Sequence, residues 1–256
     1  MILTIDVGNT TIQGGLFDED GKNVLIFRRS TSRDLSSDEA GLFFRNVIEL
    51  NGFDYTKITQ IACCSVVPSL NYSLSNAFKK YFKIDCLFVQ AGIKTGLKLK
   101  YSNPKEIGAD RIAAAIGASN LYEGKNLIVV DMGTATTIDI ITKEKEYLGG
   151  AILPGIKMSS SSLASGTAKL PAVEIVKPER SCGTSTVEAI QSGIYFGQLG
   201  GVKEIIGLFT KEVFNGEKPY LIGTGGFSRL YENEKLFDSI VPELVHIGLK
   251  KVLELN

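Results

Sequence analysis

A single histidine, His246, occurs in the 256 residues. That scarcity excludes any metal site built on two histidines. It also excludes a Ser-His-Asp or Cys-His nucleophilic centre unless His246 is its base. Cysteine is sparse too: Cys63, Cys64, Cys86 and Cys182, with no Cys-x-x-Cys pair. Adjacent cysteines are poor disulfide partners, so all four read as buried, reduced thiols of a cytosolic protein. Two phosphate-binding signatures are missing. There is no G-x-x-x-x-G-K-[ST], which excludes a P-loop, and no G-x-G-x-x-G after a strand, which argues against a Rossmann dinucleotide site. Neither sign of charge is in excess, with 28 basic and 28 acidic residues. A nucleic-acid binder is therefore not expected, although a small anionic ligand needs only a local positive site. No apolar run approaches membrane-spanning length. The first strand starts at Met1, leaving no room for a signal peptide. The expectation is a cytoplasmic protein with no membrane and no nucleic-acid partner.

What is present is glycine, 27 residues of it, in a chain that is 44% hydrophobic. Many glycines fall at strand ends, where a backbone can approach a ligand closely. The first seventeen residues, MILTIDVGNTTIQGGLF, read as a strand ending at Asp6, a polar turn (Gly8, Asn9, Thr10, Thr11) and a returning strand. Backbone donors in such a turn make an anion-binding concavity, and a neighbouring carboxylate can hold a cation. An ordinary surface hairpin has the same local pattern. The pattern recurs, however, in NLIVVDMGTATTIDIIT at 126–142, where Asp6 falls on Asp131, Gly8 on Gly133 and Thr11 on Thr136. The copies lie about half a chain apart and point to two similar halves. Two carboxylates facing one cleft repel unless cations lie between them, which implies a metal–nucleotide.

Between and after the hairpins, strands alternate with helices. Ser37 or Asp38 is positioned to cap a helix running to Leu50, with Leu42, Phe43, Val47 and Ile48 on one face. KITQIACCSVV is a buried strand ended by Pro68, and a helix carrying Leu70, Leu74, Ala77 and Phe78 follows. After CLFVQ, another strand, comes a basic irregular segment, Lys94 to Lys105. A helix rich in small residues then opens near Gly108 to Asp110. Beyond the second hairpin are GGAILPG at 149–155 and a serine-rich stretch that reads as a mobile loop or a polar helix start. A long helix over 184–206 comes next. A strand with a Thr224-Gly225-Gly226 turn follows, and VPELVHIGLKKVLEL closes the chain. The expected fold is α/β, with mixed sheets flanked by helices in two domains, 1–118 and 119–256, and a cleft between them.

Phosphoryl transfer also needs a group to orient or deprotonate the acceptor hydroxyl. Asp110 is the best candidate. It follows Gly108-Ala109 at a helix start and neighbours Arg111, a natural partner for an anionic substrate. On spacing alone, a helix-capping Asp110 beside a surface Arg111 explains the same residues.

Taken together, DVGNT (6–10) with Gly15-Leu16-Phe17, YSNPKEIGADR (101–111), DMGTATT (131–137), GGAILPG (149–155), TVEAIQSGI (186–194) and TGG (224–226) resemble type III pantothenate kinase. That family belongs to the acetate and sugar kinase, heat-shock chaperone and actin superfamily. The resemblance implies two ribonuclease H-like, or actin-like, domains and ATP-dependent phosphorylation of pantothenate, the first step of coenzyme A synthesis. It implies Asp110 as general base, Asp6 in the phosphate and magnesium region, and Gly8, Asn9, Thr10, Gly133, Thr134 and Thr136 near the ATP phosphates. Asp131 would bind a monovalent cation, potassium or ammonium. Tyr101, Gly108, Ala109 and Arg111 would contact pantothenate, and Thr186 would do so across a homodimer interface, with Thr184 close by. Cys63 to Pro68 departs from a segment more often serine-rich, a difference expected to bear on packing. Other enzymes of the superfamily acting on sugars or carboxylates, a non-enzymatic accessory role in transcription, and an actin-like or chaperone-like ATP switch are the rival readings.

Overall fold

A computed structural model describes residues 1–256. The chain divides into two units: Met1–Leu121 together with Glu243–Asn256, and Tyr122–Pro242.

The first unit opens with β1 (Ile2–Val7), β2 (Thr11–Phe17) and β3 (Asn23–Ser30), followed by α1 (Ser37–Leu50), β4 (Gln60–Ser65), α2 (Pro68–Phe82) and a short β5 (Leu87–Phe88). The sheet order is β3-β2-β1-β4-β5; β1, β2 and β3 are antiparallel, whereas β4 and β5 run parallel to β1. β1 is therefore central. Its Leu3, Ile5 and Val7 enter the main core with Phe44, Ile48, Leu70, Leu74 and Phe78 of α1 and α2. Strand alternation sends Thr4 and Asp6 to the other face. α1 begins one residue earlier than expected. Ser36 is the cap, and it and Glu39 form a reciprocal capping box. Phe44 is buried in place of the expected Leu42, which is 46% exposed. α2 starts at Pro68, where the missing N–H costs nothing.

A two-residue strand, β6 (Lys98–Leu99), interrupts the basic segment before α3 (Ala109–Leu121). The second unit holds β7 (Leu127–Met132), β8 (Ala135–Ile141), β9 (Glu146–Pro154), α4 (Ile156–Gly166), α5 (Thr186–Val213), β10 (Tyr220–Thr224) and β11 (Ser239–Ile240). Its own strands run β9-β8-β7-β10-β11, with β7, β8 and β9 antiparallel and β10 and β11 parallel to β7. The repeat read from two hairpins thus extends to five strands in each unit, β3-β2-β1-β4-β5 and β9-β8-β7-β10-β11. Ile128, Val130, Met132, Ile138 and Ile140 pack with Tyr195, Leu199, Val202 and Ile206 of α5. The serine-rich stretch is helical. Ser165 bonds back to the Ser161 carbonyl at 2.8 Å, one turn behind it, so a serine side chain is satisfied within the helix.

The closing helix, α6 (Leu244–Leu255), belongs to the first unit, in contrast to the expected 119–256 domain. It crosses α3 with backbone against backbone. A Cβ on Gly248 would lie 1.8 Å from the Ala113 carbonyl oxygen, and one on Gly117 would lie 2.3 Å from that of Leu244. His246 of α6 is 1% exposed and meets Thr4 of β1, with Nδ1 and Oγ1 2.9 Å apart. Thr4 gives its own hydroxyl proton to the Gly15 carbonyl at 3.0 Å, so Nδ1 carries the ring proton and donates to Thr4. The other nitrogen, Nε2, is buried without a partner.

Candidate active site

Asp6 stands near the end of β1, paired with Gln13 on one side and Cys64 on the other. The turn beyond it is closed by the Gly8 N–H to the Thr11 carbonyl at 3.0 Å. It is braced by Thr31, whose N–H meets the Thr10 carbonyl and whose hydroxyl meets that of Gly8 at 2.7 Å. Asn9 and Thr10 are exposed at the tip.

The start of α3 lies in the same unit. The Gly108 carbonyl accepts the Ile112 N–H at 3.1 Å and opens the helix. Asp110 Oδ1 accepts the Arg111 N–H at 2.8 Å, and a Cβ on Gly108 would sit 2.5 Å from that oxygen, so glycine there makes room for the carboxylate. Arg111 is buried at 9% exposure and is therefore not a surface cation. Ala109 and Tyr101 are half-buried. Asp6 and Asp110 sense each other. Asp6 is pushed up to about 7, first by desolvation and then by the negative charge of Asp110, with the Cys64 thiol acting in the opposite direction. Cys64 Sγ donates to Asp6 Oδ1 at 3.3 Å. The sequence expectation confined this cysteine to packing. Its alignment with Asp6 across β1 and β4 is a matter of register, which the local pattern does not carry.

In the second unit Asp131 is near the end of β7, paired with Thr137 of β8 and Thr224 of β10. Gly225 has a φ of +83°, and a Cβ there would lie 2.3 Å from Asp131 Oδ1 and 2.7 Å from the Met132 nitrogen. Only glycine fits a left-handed turn pressed against that carboxylate. The Gly133 N–H meets the Ala135 carbonyl at 3.0 Å, and the Gly133 and Thr134 carbonyls crowd Gly155 at the end of β9. The second turn is one residue shorter than the first. Val7 faces Ile12, whereas Met132 faces Thr136. Thr136 is therefore the counterpart of Ile12 and not of Thr11. It is fully buried and its hydroxyl has no partner. Thr136 is an interior residue, and Thr134 is the exposed threonine of that turn.

Thr186 is the exposed first residue of α5. Ser185 caps the helix, and Thr184 is bound to Glu188 through both its N–H and its hydroxyl. Farther along α5, Gly193, Gly197 and Gly200 are exposed with open space beside them.

The donor sets suit hard cations. Asp6 has one oxygen engaged by Cys64 and the other without a hydrogen-bond partner, and a second carboxylate is near enough to repel it. No group of three His, Cys, Asp or Glu side chains forms a metal cage. Magnesium is commonly held this way, by one or two carboxylates with water and phosphate oxygens completing the octahedron. No helix is long and apolar enough to cross a membrane.

The profile of the type III pantothenate kinase family matches residues 2–207. A type III pantothenate kinase of Legionella pneumophila (strain Corby) is 50% identical over 256 residues, covering 100% of this chain and 99% of that protein. One of Elusimicrobium minutum is 44% identical, with the same coverage. Among solved structures, a protein of Campylobacter jejuni described as a Baf family transcriptional activator superposes with a TM-score of 0.58 at 21% identity, covering 98% of this chain and 97% of that one. The activator of 2-hydroxyisocaproyl-CoA dehydratase from Clostridium difficile, with bound ADPNP, gives 0.50 at 11% identity, covering 99% and 97%. At these identities the two structures establish a shared fold and nothing more. With end-to-end identity of 50% and a matching family profile, the chain belongs to the type III pantothenate kinase family.

Proposed function

We propose that the protein transfers the γ-phosphoryl group of ATP to the primary hydroxyl of pantothenate, the first step of coenzyme A synthesis, with the residue roles given below. The reaction is that of its family. The observation that carries the assignment of roles is the pair of carboxylates, Asp6 and Asp110, that sense each other within one unit.

Asp110 is the general base. Its carboxylate accepts the proton of the pantothenate hydroxyl as that oxygen attacks phosphorus, and the bond from the neighbouring Arg111 N–H fixes its orientation. Arg111, Tyr101, Gly108 and Ala109 hold the acceptor. A divalent cation bound with ATP neutralises charge on the β- and γ-phosphates. Asp6 is the residue that would hold it, and a cation at its free oxygen offsets the repulsion from Asp110. Gly8, Asn9 and Thr10 present the first turn to phosphate oxygens, and Gly133 and Thr134 the second. Asp131 would hold a monovalent cation, potassium or ammonium, against the Gly225 turn. Catalysis in this scheme is positioning and charge neutralisation.

We place the enzyme in the cytoplasm as a homodimer. The open glycine face of α5, with exposed Thr186 on the same helix, supports close approach of a second chain and a substrate contact made across it.

An ATP-coupled assay of ADP release, with and without pantothenate and with potassium or sodium, tests the reading. Release that requires pantothenate and rises with potassium is expected. Asp110→Asn should lower turnover by roughly 10²–10⁴-fold while remaining folded. No pantothenate-dependent release in potassium would refute the activity, and near-normal turnover in the variant would remove Asp110 as base.

A further inference from the structure

Cys64 lies opposite Asp6 in the parallel pairing of β4 with β1, and it is completely buried. Its thiol donates to Asp6 Oδ1 at 3.3 Å. The neighbouring thiol, Cys63, turns instead to the Cys64 carbonyl at 3.5 Å. Asp6 Oδ2 takes no hydrogen bond from the protein and is not enclosed, whereas Oδ1 is engaged by the thiol. The two oxygens of this carboxylate are therefore unequal before any ligand arrives. One is tied into the sheet, and the other is left for a cation and its water shell.

A thiol is a weak donor. Cys64 itself is shut off from water, so its proton meets no competing water acceptor, and a hydrogen bond to a charged acceptor is worth more than one between neutral groups. The bond fixes the carboxylate rotamer without bringing a positive charge beside it. A lysine or arginine in that position would compete with the incoming cation for the same carboxylate. A serine would supply the same donor on a shorter arm, and an alanine would supply none.

We infer that Cys64 is a positioning residue for the metal–nucleotide: its thiol proton pins Asp6 Oδ1 so that Oδ2 faces the divalent cation carried by ATP. This rests on the role proposed for Asp6. It extends that role to a residue that touches neither substrate.

The test compares Cys64→Ala with Cys64→Ser. Both remove the sulfur and its packing, and only serine keeps a donor. Binding of Mn²⁺ with a non-hydrolysable ATP analogue is measured by titration calorimetry on the full chain, alongside the magnesium dependence of turnover. Cys64→Ala should bind the Mn²⁺–nucleotide about tenfold more weakly, and should need correspondingly more magnesium, with KM for pantothenate unchanged. Cys64→Ser should recover to within about threefold of the parent. Equal loss in both variants would assign Cys64 to packing alone and overturn the inference. Unchanged binding in Cys64→Ala would overturn it too, as would a parent protein that takes no Mn²⁺–nucleotide. Binding needs no acceptor. A parent that binds Mn²⁺–nucleotide but does not phosphorylate pantothenate would therefore sink the proposed activity and leave this inference to be decided by the two variants.

Discussion

Gly248→Ala tests the contact between α6 and α3 directly. The new Cβ would stand 1.8 Å from the Ala113 carbonyl oxygen, 2.7 Å from its carbon and 3.0 Å from the Gly117 nitrogen, all backbone atoms of α3. No rotamer relieves a clash with backbone, so the helices must part. Ordinary contact begins near 3.4 Å, which sets the separation at about 1.6 Å along that direction. Overpacking of this kind typically costs about 1–3 kcal/mol, which lowers the melting temperature by a few degrees per kcal/mol in a chain of this size, roughly 2–4 °C. The effect on turnover should be larger. Ala113 is one turn from Asp110 on the same helix, and a displacement of about 1 Å at a reacting group can cost on the order of 10²-fold. The assay is kcat with saturating MgATP and pantothenate, beside a thermal melt. A folded Gly248→Ala enzyme with kcat within about threefold of the parent would refute the claim that α6 sets the position of α3.

Two further substitutions probe single atoms. Thr136→Val removes a buried hydroxyl that has no partner. Stability should stay level or rise by up to about 1 kcal/mol, with kcat unchanged; a folded variant that loses turnover would return Thr136 to the phosphate site. His246 is held down to about 4 by burial, with a smaller contribution from the Arg28 charge, against an ordinary value of 6.5. Between those values the unfolded chain binds the proton and the folded one does not, so stability present above pH 6.5 is lost as pH falls toward 4. The loss at pH 5 should be about 2 kcal/mol from this residue. Urea melts at pH 7 and pH 5 should show His246→Asn losing less between the two than the parent does, and equal losses would contradict the assignment.

Much of the architecture was legible because it is local. The Asp-x-Gly turns between apolar runs mark both hairpins, and their recurrence announces the duplicated sheet. Three features were hidden for a common reason: each depends on residues far apart in sequence. Chain position places α6 with the second half, yet Gly248 has meaning only against Gly117 and Ala113. Spacing sets Thr136 against Thr11, and only strand register reveals a turn shorter by one residue. Cys64 looked like core filling because its relation to Asp6 crosses 58 positions of chain. The Ser36 cap was missed by one residue, since Ser36, Ser37 and Asp38 all offer capping oxygens and only the return bond from Glu39 selects among them.

The placement of α6 also bears on how the molecule is made. Residues 122–242 form one uninterrupted stretch, so that unit has its whole sequence available once Pro242 has been synthesised. The unit carrying Asp6 and Asp110 has no such independence, although its first 121 residues leave the ribosome earlier. Until residues 243–256 are made, Gly117 faces nothing and Thr4 has no histidine. The usual order, in which the N-terminal domain finishes first during translation, is therefore inverted. A released chain ending at Pro242 should carry a finished second unit and an unfinished first one, with the strand that bears Asp6 lacking its backing helix.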